Sequence, residues 1–283
     1  MTTRYRRFRY SSDTPHALGS NARHAFALQR TVSIFGSNAA YTLIPKNGCS
    51  TLRLSIAIAN GCIAGPDEID WIHRNNFSFP LTLGEAFRAS YTFVVLRCPF
   101  ERLYSAFMDK IVDSREEAWN LVNETGRRRH PRDLSFRAFV RTIATVARPR
   151  MDIHWRPQID FLLYEDYDDW FSLGNFAHME TKLAERIDLT LVDSRSRLGH
   201  DIGAITKSDV PDAADLSAAE LFNSKRAGSL PSIESLYDEE ALAEVAHIYH
   251  EDIDLYRSRI GESVTTARLA GTTVTATTGP RAA

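Results

Sequence analysis

Ile44-Pro45-Lys46-Asn47-Gly48-Cys49-Ser50-Thr51-Leu52 is the stretch whose reading sets the fold. Before it, residues 41–44 have the length and apolar character of a short strand. After it, Leu52, Leu54, Ile56 and Ile58 make a helix opening near Ser50 apolar on several sides, and therefore buried. A helix opening aimed at a ligand presents unpaired N–H groups and the positive end of the dipole, which together bind an anion. Gly48 lets the backbone come close, and Ser50 and Thr51 add hydroxyl donors. Lys46 adds a full charge where a departing phosphate would gather negative charge. Lys46 precedes the glycine and no second glycine opens the loop, so the order differs from G-x-x-x-x-G-K-[ST] and argues against nucleoside triphosphate chemistry.

About fifty residues on, the arrangement recurs in Val95-Leu96-Arg97-Cys98-Pro99-Phe100-Glu101-Arg102-Leu103-Tyr104-Ser105-Ala106-Phe107. Residues 91–96 read as a second apolar strand, stopped by Pro99, with a helix beginning near Phe100. Leu103, Phe107 and Ile111 fall on a packing stripe, and Arg102, Ser105 and Asp109 on another that is free to work. Arg97 stands at the carboxyl end of its strand, the edge where open parallel sheets hold ligands. Its guanidinium, with the Ser105 hydroxyl, suits a terminal phosphate. A surface ion-pair network with Glu101 and Asp109 is the competing reading.

The rest of the chain alternates strand-like and helix-like segments, which predicts an α/β fold with a central parallel sheet flanked by helices. Its 283 residues suit a single domain over residues 31–262. Residues 1–30 read as a basic N-terminal arm, partly ordered, with Arg4-Tyr5-Arg6-Arg7-Phe8-Arg9 solvated. Residues 263–283, rich in Thr, Ala and Gly, read as a disordered tail. Ser135 is placed as the N-cap of a helix bearing Phe136, Phe139, Val140 and Ile143, and residues 238–260 as one long closing helix. Residues 191–235 are placed as loops with one short helix.

The net charge of -2 gives no global attraction to nucleic acid or anionic lipid, so any anion site must be a local cluster. No run approaches the roughly 18 apolar residues of a spanning helix, so no stable membrane insertion is expected. Cys49, Cys62 and Cys98 are too few and odd in number for a disulfide framework and lack metal-ligand spacing. Free thiols in the cytoplasm are the expectation. The oligomeric state is left open.

Taken together, P-K-N-G-C-S-T-L and V-V-L-R-C-P-F-E-R-L-Y-S-A-F, each after a strand, resemble the sulfotransferase superfamily. They look most like its carbohydrate branch of the chondroitin type, whose second element ends much as Met108-Asp109-Lys110 does here. The resemblance extends through residues 135–140, His154-Trp155-Arg156-Pro157, Gly174-Asn175-Phe176 with Glu180, and Tyr249 with Asp252. It implies a P-loop-like sulfotransferase fold and a donor, 3′-phosphoadenosine 5′-phosphosulfate. The loop of Lys46, Asn47, Gly48, Cys49, Ser50 and Thr51 would hold the 5′-phosphosulfate, and Arg97 with Ser105 the 3′-phosphate. The acceptor would be a hydroxyl, that of a carbohydrate or glycoconjugate. Cys98 stands where relatives carry Asp, which removes a helix-capping acceptor.

Sulfuryl transfer follows the logic of phosphoryl transfer, with positioning and charge stabilisation carrying most of the catalysis, and no metal is expected. Lys46 is the expected partner of the bridging oxygen. Of nine histidines, His154 is the expected base, with a packed or capping role beside Trp155 as the alternative and His73 and His130 as weaker candidates. Lys207 is a further polar residue of interest. Two rivals stay open: a nucleotide or nucleoside kinase, and a non-catalytic protein that binds the donor.

Overall fold

The computed structural model describes residues 6–13, 17–75, 79–126, 130–194 and 205–269. The chain forms two compact units, one of Met1–Arg97 with Pro157–Asp201, the other of Cys98–Arg156 with Ile202–Ala283. Up to Arg97 it runs through α1 (Ala22–Gln29), β1 (Thr31–Ile34), β2 (Ala39–Thr42), α2 (Cys49–Ala59), α3 (Asp70–Arg74), α4 (Leu83–Arg88) and β3 (Tyr91–Leu96). The second unit opens with α5 (Pro99–Ala106), a π-helical turn (Phe107–Val112), α6 (Glu116–Glu124) and α7 (Phe136–Ala144). The chain returns to the first unit for β4 (Asp169–Ser172) and α8 (Phe176–Ile187). It ends in the second with β5 (Thr206–Ser208), α9 (Ala218–Arg226), β6 (Ser229–Pro231), α10 (Ile233–Leu236), α11 (Glu239–Ile248) and α12 (His250–Arg259).

The first unit is a mixed α/β structure around a sheet of order β1-β2-β3-β4. Strands β2, β3 and β4 run parallel, and β1 closes the edge antiparallel to β2 with Thr31 opposite Thr42. All six residues of β3 are buried, as a central parallel strand covered on both faces requires. Tyr41 and Phe93 stack at 5.0 Å on one face. There they join Leu52 and Ile56 of α2 with Met179, Leu183 and Ile187 of α8. The opposite side of α2 gives Leu54 and Ala57 to a second cluster with Ile63, Ile69 and Ile72, so the helix is apolar on several sides because it packs on two.

Three expectations need correction. The described part of the basic arm is packed: Arg6, Phe8 and Tyr10 are buried, whereas Arg7 is exposed. Phe8 bridges to Tyr164, and the chain turns after it at residues 9–12. Arg6 donates to the carbonyls of Ala89 and Ser90, both at 3.2 Å, and pairs with Asp168 at 2.5 Å. Arg4 and Tyr5 lie outside the described residues. The tail is also folded at its start: residues 264–269 are helical and Leu269 is buried. Ser263 Oγ donates to Cys98 Sγ at 3.2 Å and Thr265 Oγ1 to Glu101 Oε1 at 2.5 Å. Residues 270–283 lie outside the described residues. The closing helix, finally, breaks at Tyr249 into α11 and α12, and the buried hydroxyl of Tyr249 donates to the carbonyl of Trp155. In 191–235 the structure adds the short parallel pair β5 and β6, whose three residues apiece carry no readable period. Residues 195–204 lie outside the described residues.

His24 on α1 gives this unit a pH dependence. It is buried with its ring 5.1 Å from Phe8, and neither ring nitrogen has a hydrogen-bond partner. Burial holds its pKa below the ordinary 6.5. Between the lowered folded value and 6.5 the unfolded chain therefore binds more protons, and stability falls as pH drops through that window. Thermal unfolding at pH 7.5 and 5.5 is expected to show a larger acid loss for the wild type than for His24→Phe; equal losses would contradict it.

Candidate functional site

The turn between β2 and α2 is shaped by two left-handed residues, Lys46 at φ 71° and Gly48 at φ 75°. Alternating backbone of this kind gathers N–H groups into an anion-binding concavity. The first helical bond is donated by Leu52 to the Gly48 carbonyl, so the N–H groups of Cys49, Ser50 and Thr51 precede the α2 ladder. Glycine is required at 48 for space as well as for φ: a Cβ there would stand 2.9 Å from Leu173 Cδ1. Cys49 and Ser50 are half-buried, and Thr51 is buried with its hydroxyl 3.0 Å from that of Ser194.

Arg97 comes to the same place from the end of β3. Its guanidinium donates to the Lys46 carbonyl at 3.1 Å. Asn47, fully buried, donates through Nδ2 to the Val95 carbonyl at 2.8 Å and to Gln158 Oε1 at 2.6 Å. Gln158 also accepts from the Arg97 N–H at 3.1 Å and donates to the Arg97 carbonyl at 2.9 Å. Two strand-end turns 51 positions apart are thus laced together by Asn47, Arg97 and Gln158. Asn47 Oδ1 is buried with no hydrogen-bond partner, a donor-seeking atom inside this loop. Gln158 was not singled out from the sequence; a lone glutamine just after Pro157 gives no signal until its partners are known.

The remaining candidates stand in the second unit. Ser105 is half-buried on α5. Its neighbour Arg102 corrects an expectation: it is 2 % exposed and does not lie on a free working stripe. It donates to the carbonyls of Arg156 at 2.8 Å and Ile153 at 3.1 Å, a use of the guanidinium fork that periodicity cannot reveal. These bonds grip the turn that carries His154. His154 Nδ1 is 2.7 Å from Asp152 Oδ1 and 3.5 Å from Glu117 Oε1, and Lys110 sits 2.8 Å from that same Glu117 oxygen. Lys110 and Asp109 belong to the π-helical turn, a distortion of α-helices often found at functional sites.

Burial alone would raise the pKa of Asp152, but the hydrogen bond and charge of His154, with Lys110 nearby, hold it below the ordinary carboxylate value. Burial likewise opposes the charge on Lys110, and Glu117 and Asp109 outweigh it. The weaker histidine candidates are placed elsewhere: His130 accepts from the Arg132 N–H, and His73 is exposed at the end of α3. Glu180 is exposed on α8, past a first turn that holds no acidic residue. Lys207 lies on β5, its ammonium 5.6 Å from the Tyr104 ring centroid. Cys98 occupies the N-cap of α5 without a side-chain capping bond, and Pro99 follows with no N–H to cap.

The first unit is therefore an α/β structure whose adjacent strand-end turns, β2 to α2 and the end of β3, are joined in one corner. The model of the sulfotransferase family matches residues 37–257, and the chain belongs to that family. A sulfotransferase acts on a hydroxyl-bearing acceptor, and the match agrees with the carbohydrate branch. No curated protein and no solved structure matches this chain. Among the described residues, no helix is long and apolar enough to cross a membrane.

Proposed function

We propose that the protein moves a sulfuryl group from 3′-phosphoadenosine 5′-phosphosulfate to a hydroxyl of a carbohydrate or glycoconjugate, on a P-loop-like domain spanning residues 31–262. The observation that carries this reading is that the two strand-end turns are joined, Arg97 to the Lys46 carbonyl directly and Asn47 to Arg97 through Gln158, so that the Lys46 loop and Arg97 stand together. In this reading the N–H groups of residues 47–51 and the hydroxyls of Ser50 and Thr51 take the 5′-phosphosulfate. Arg97 and Ser105 take the 3′-phosphate. Lys46 neutralises charge on the departing oxygen, and His154 accepts the proton of the acceptor hydroxyl. No step calls for a metal. The three cysteines are free thiols, which supports placement in the cytoplasm.

The test is incubation with donor carrying radiolabelled sulfate and an extract of the native cell. Label is expected in a macromolecular or glycan fraction, and to depend on Lys46. Donor binding with no label passed to any fraction would favour a non-catalytic binding protein, and binding of ATP with magnesium in preference to adenosine 3′,5′-bisphosphate would favour a kinase.

A further inference from the structure

We propose that Asp152 is the positioning residue of His154, fixing the tautomer in which Nδ1 carries the proton and Nε2 offers its lone pair to the acceptor hydroxyl; this rests on the sulfuryl-transfer reading above. Two contacts from one carboxylate oxygen set the imidazole: Asp152 Oδ1 accepts from the His154 backbone N–H at 2.9 Å and lies 2.7 Å from Nδ1. An ionised carboxylate can only accept, so the proton of neutral His154 belongs on Nδ1. Among the described residues Nε2 has no hydrogen-bond partner, and the side chain is 19 % exposed, so the lone pair is within reach of an incoming molecule.

The surroundings support this division of labour. Among the described residues, Glu117 is the other carboxylate near Nδ1, at 3.5 Å against 2.7 Å for Asp152, and Lys110 engages it, with Asp109 in turn 3.5 Å from Lys110. The turn itself is held on both sides of the histidine. Arg102 grips the carbonyls of Ile153 and Arg156, Tyr249 grips that of Trp155, and the N–H of Arg156 returns to the Asp152 carbonyl at 2.8 Å. Such restraint keeps a reacting group within a few tenths of an ångström of its working place. In the transfer, the acceptor O–H bond breaks and its proton passes to Nε2. The freed electron pair forms the new O–S bond, and the S–O bond to the donor phosphate breaks with its pair remaining on the phosphate oxygen. Asp152 then faces an imidazolium across the same hydrogen bond.

Long-range proton–nitrogen NMR of protein labelled with nitrogen-15 histidine reads the tautomer without any acceptor, and His154→Ala identifies the resonance. The wild type is expected to show His154 protonated on Nδ1 at alkaline pH, with Asp152→Ala and Asp152→Asn shifting it toward the Nε2–H form and Asp152→Glu restoring it. Label transfer should fall at least tenfold in turnover for Asp152→Asn with the acceptor KM unchanged, and Asp152→Asn should add nothing in the His154→Ala background. A wild-type Nε2–H form, or a tautomer indifferent to both Asp152 variants while circular dichroism shows them folded, overturns the positioning role. The expected tautomer without label transfer by the wild type overturns the base role and the sulfuryl-transfer reading, and the positioning contact alone would stand.

Discussion

Lys46→Ala is expected to lower turnover in sulfuryl transfer about 10²- to 10³-fold, the loss of roughly 2.7 to 4 kcal/mol that follows removal of one preorganised transition-state donor. Lys46 already holds φ at 71°, and alanine keeps a Cβ there, so the variant changes the ammonium and little of the loop's backbone constraint. The Lys46 carbonyl, which receives the Arg97 guanidinium, is retained. Binding of adenosine 3′,5′-bisphosphate should therefore weaken far less than turnover falls. Steady-state rates beside calorimetric binding separate the two, and near-normal turnover would remove Lys46 from the chemistry.

Arg102→Ala carries the largest expected effect on stability, about 3 kcal/mol, taken from the 1 to 3 kcal/mol that each abandoned buried acceptor costs and the cavity left by the side chain. Two carbonyls, of Ile153 and Arg156, lose their donors at once. Against the 5 to 15 kcal/mol that holds most domains together, this is a large fraction. Arg102→Lys, which keeps the charge and loses the fork, should fall between. Denaturant unfolding followed by circular dichroism gives the comparison; a midpoint for Arg102→Ala equal to wild type would mean that the turn bearing His154 is held by other contacts.

The corner of two strand-end turns was readable because its signals are local. Directly after β2, the flanking cation, turn glycine and helix start occur within nine positions from Ile44 to Leu52, and β3 announces itself as a continuous apolar run that stops before Arg97. What stayed hidden depends on partners distant in sequence. Arg102 reads as a surface charge until the carbonyls of 153 and 156 are placed beside it, and Gln158 has no pattern at all. The arginines of the arm bearing Arg6, Phe8 and Tyr10 suggested solvent, because a guanidinium can be buried only when acceptors such as the Ala89 carbonyl and Asp168 await it. The π-helical turn likewise leaves no mark on an apolar stripe that packs in either geometry: Phe107 and Ile111 are buried as expected.

In the proposed reaction, the corner built by Lys46, Asn47 and Arg97 recognises a nucleotide by both of its phosphates. Calorimetry of adenosine 3′,5′-bisphosphate against adenosine 5′-monophosphate, on wild type and Arg97→Ala, measures that recognition. The wild type should prefer the bisphosphate at least tenfold, about 1.4 kcal/mol, and Arg97→Ala should bind the two nearly alike. A preference that survives the loss of Arg97, or a wild type that fails to distinguish the two nucleotides, would contradict it.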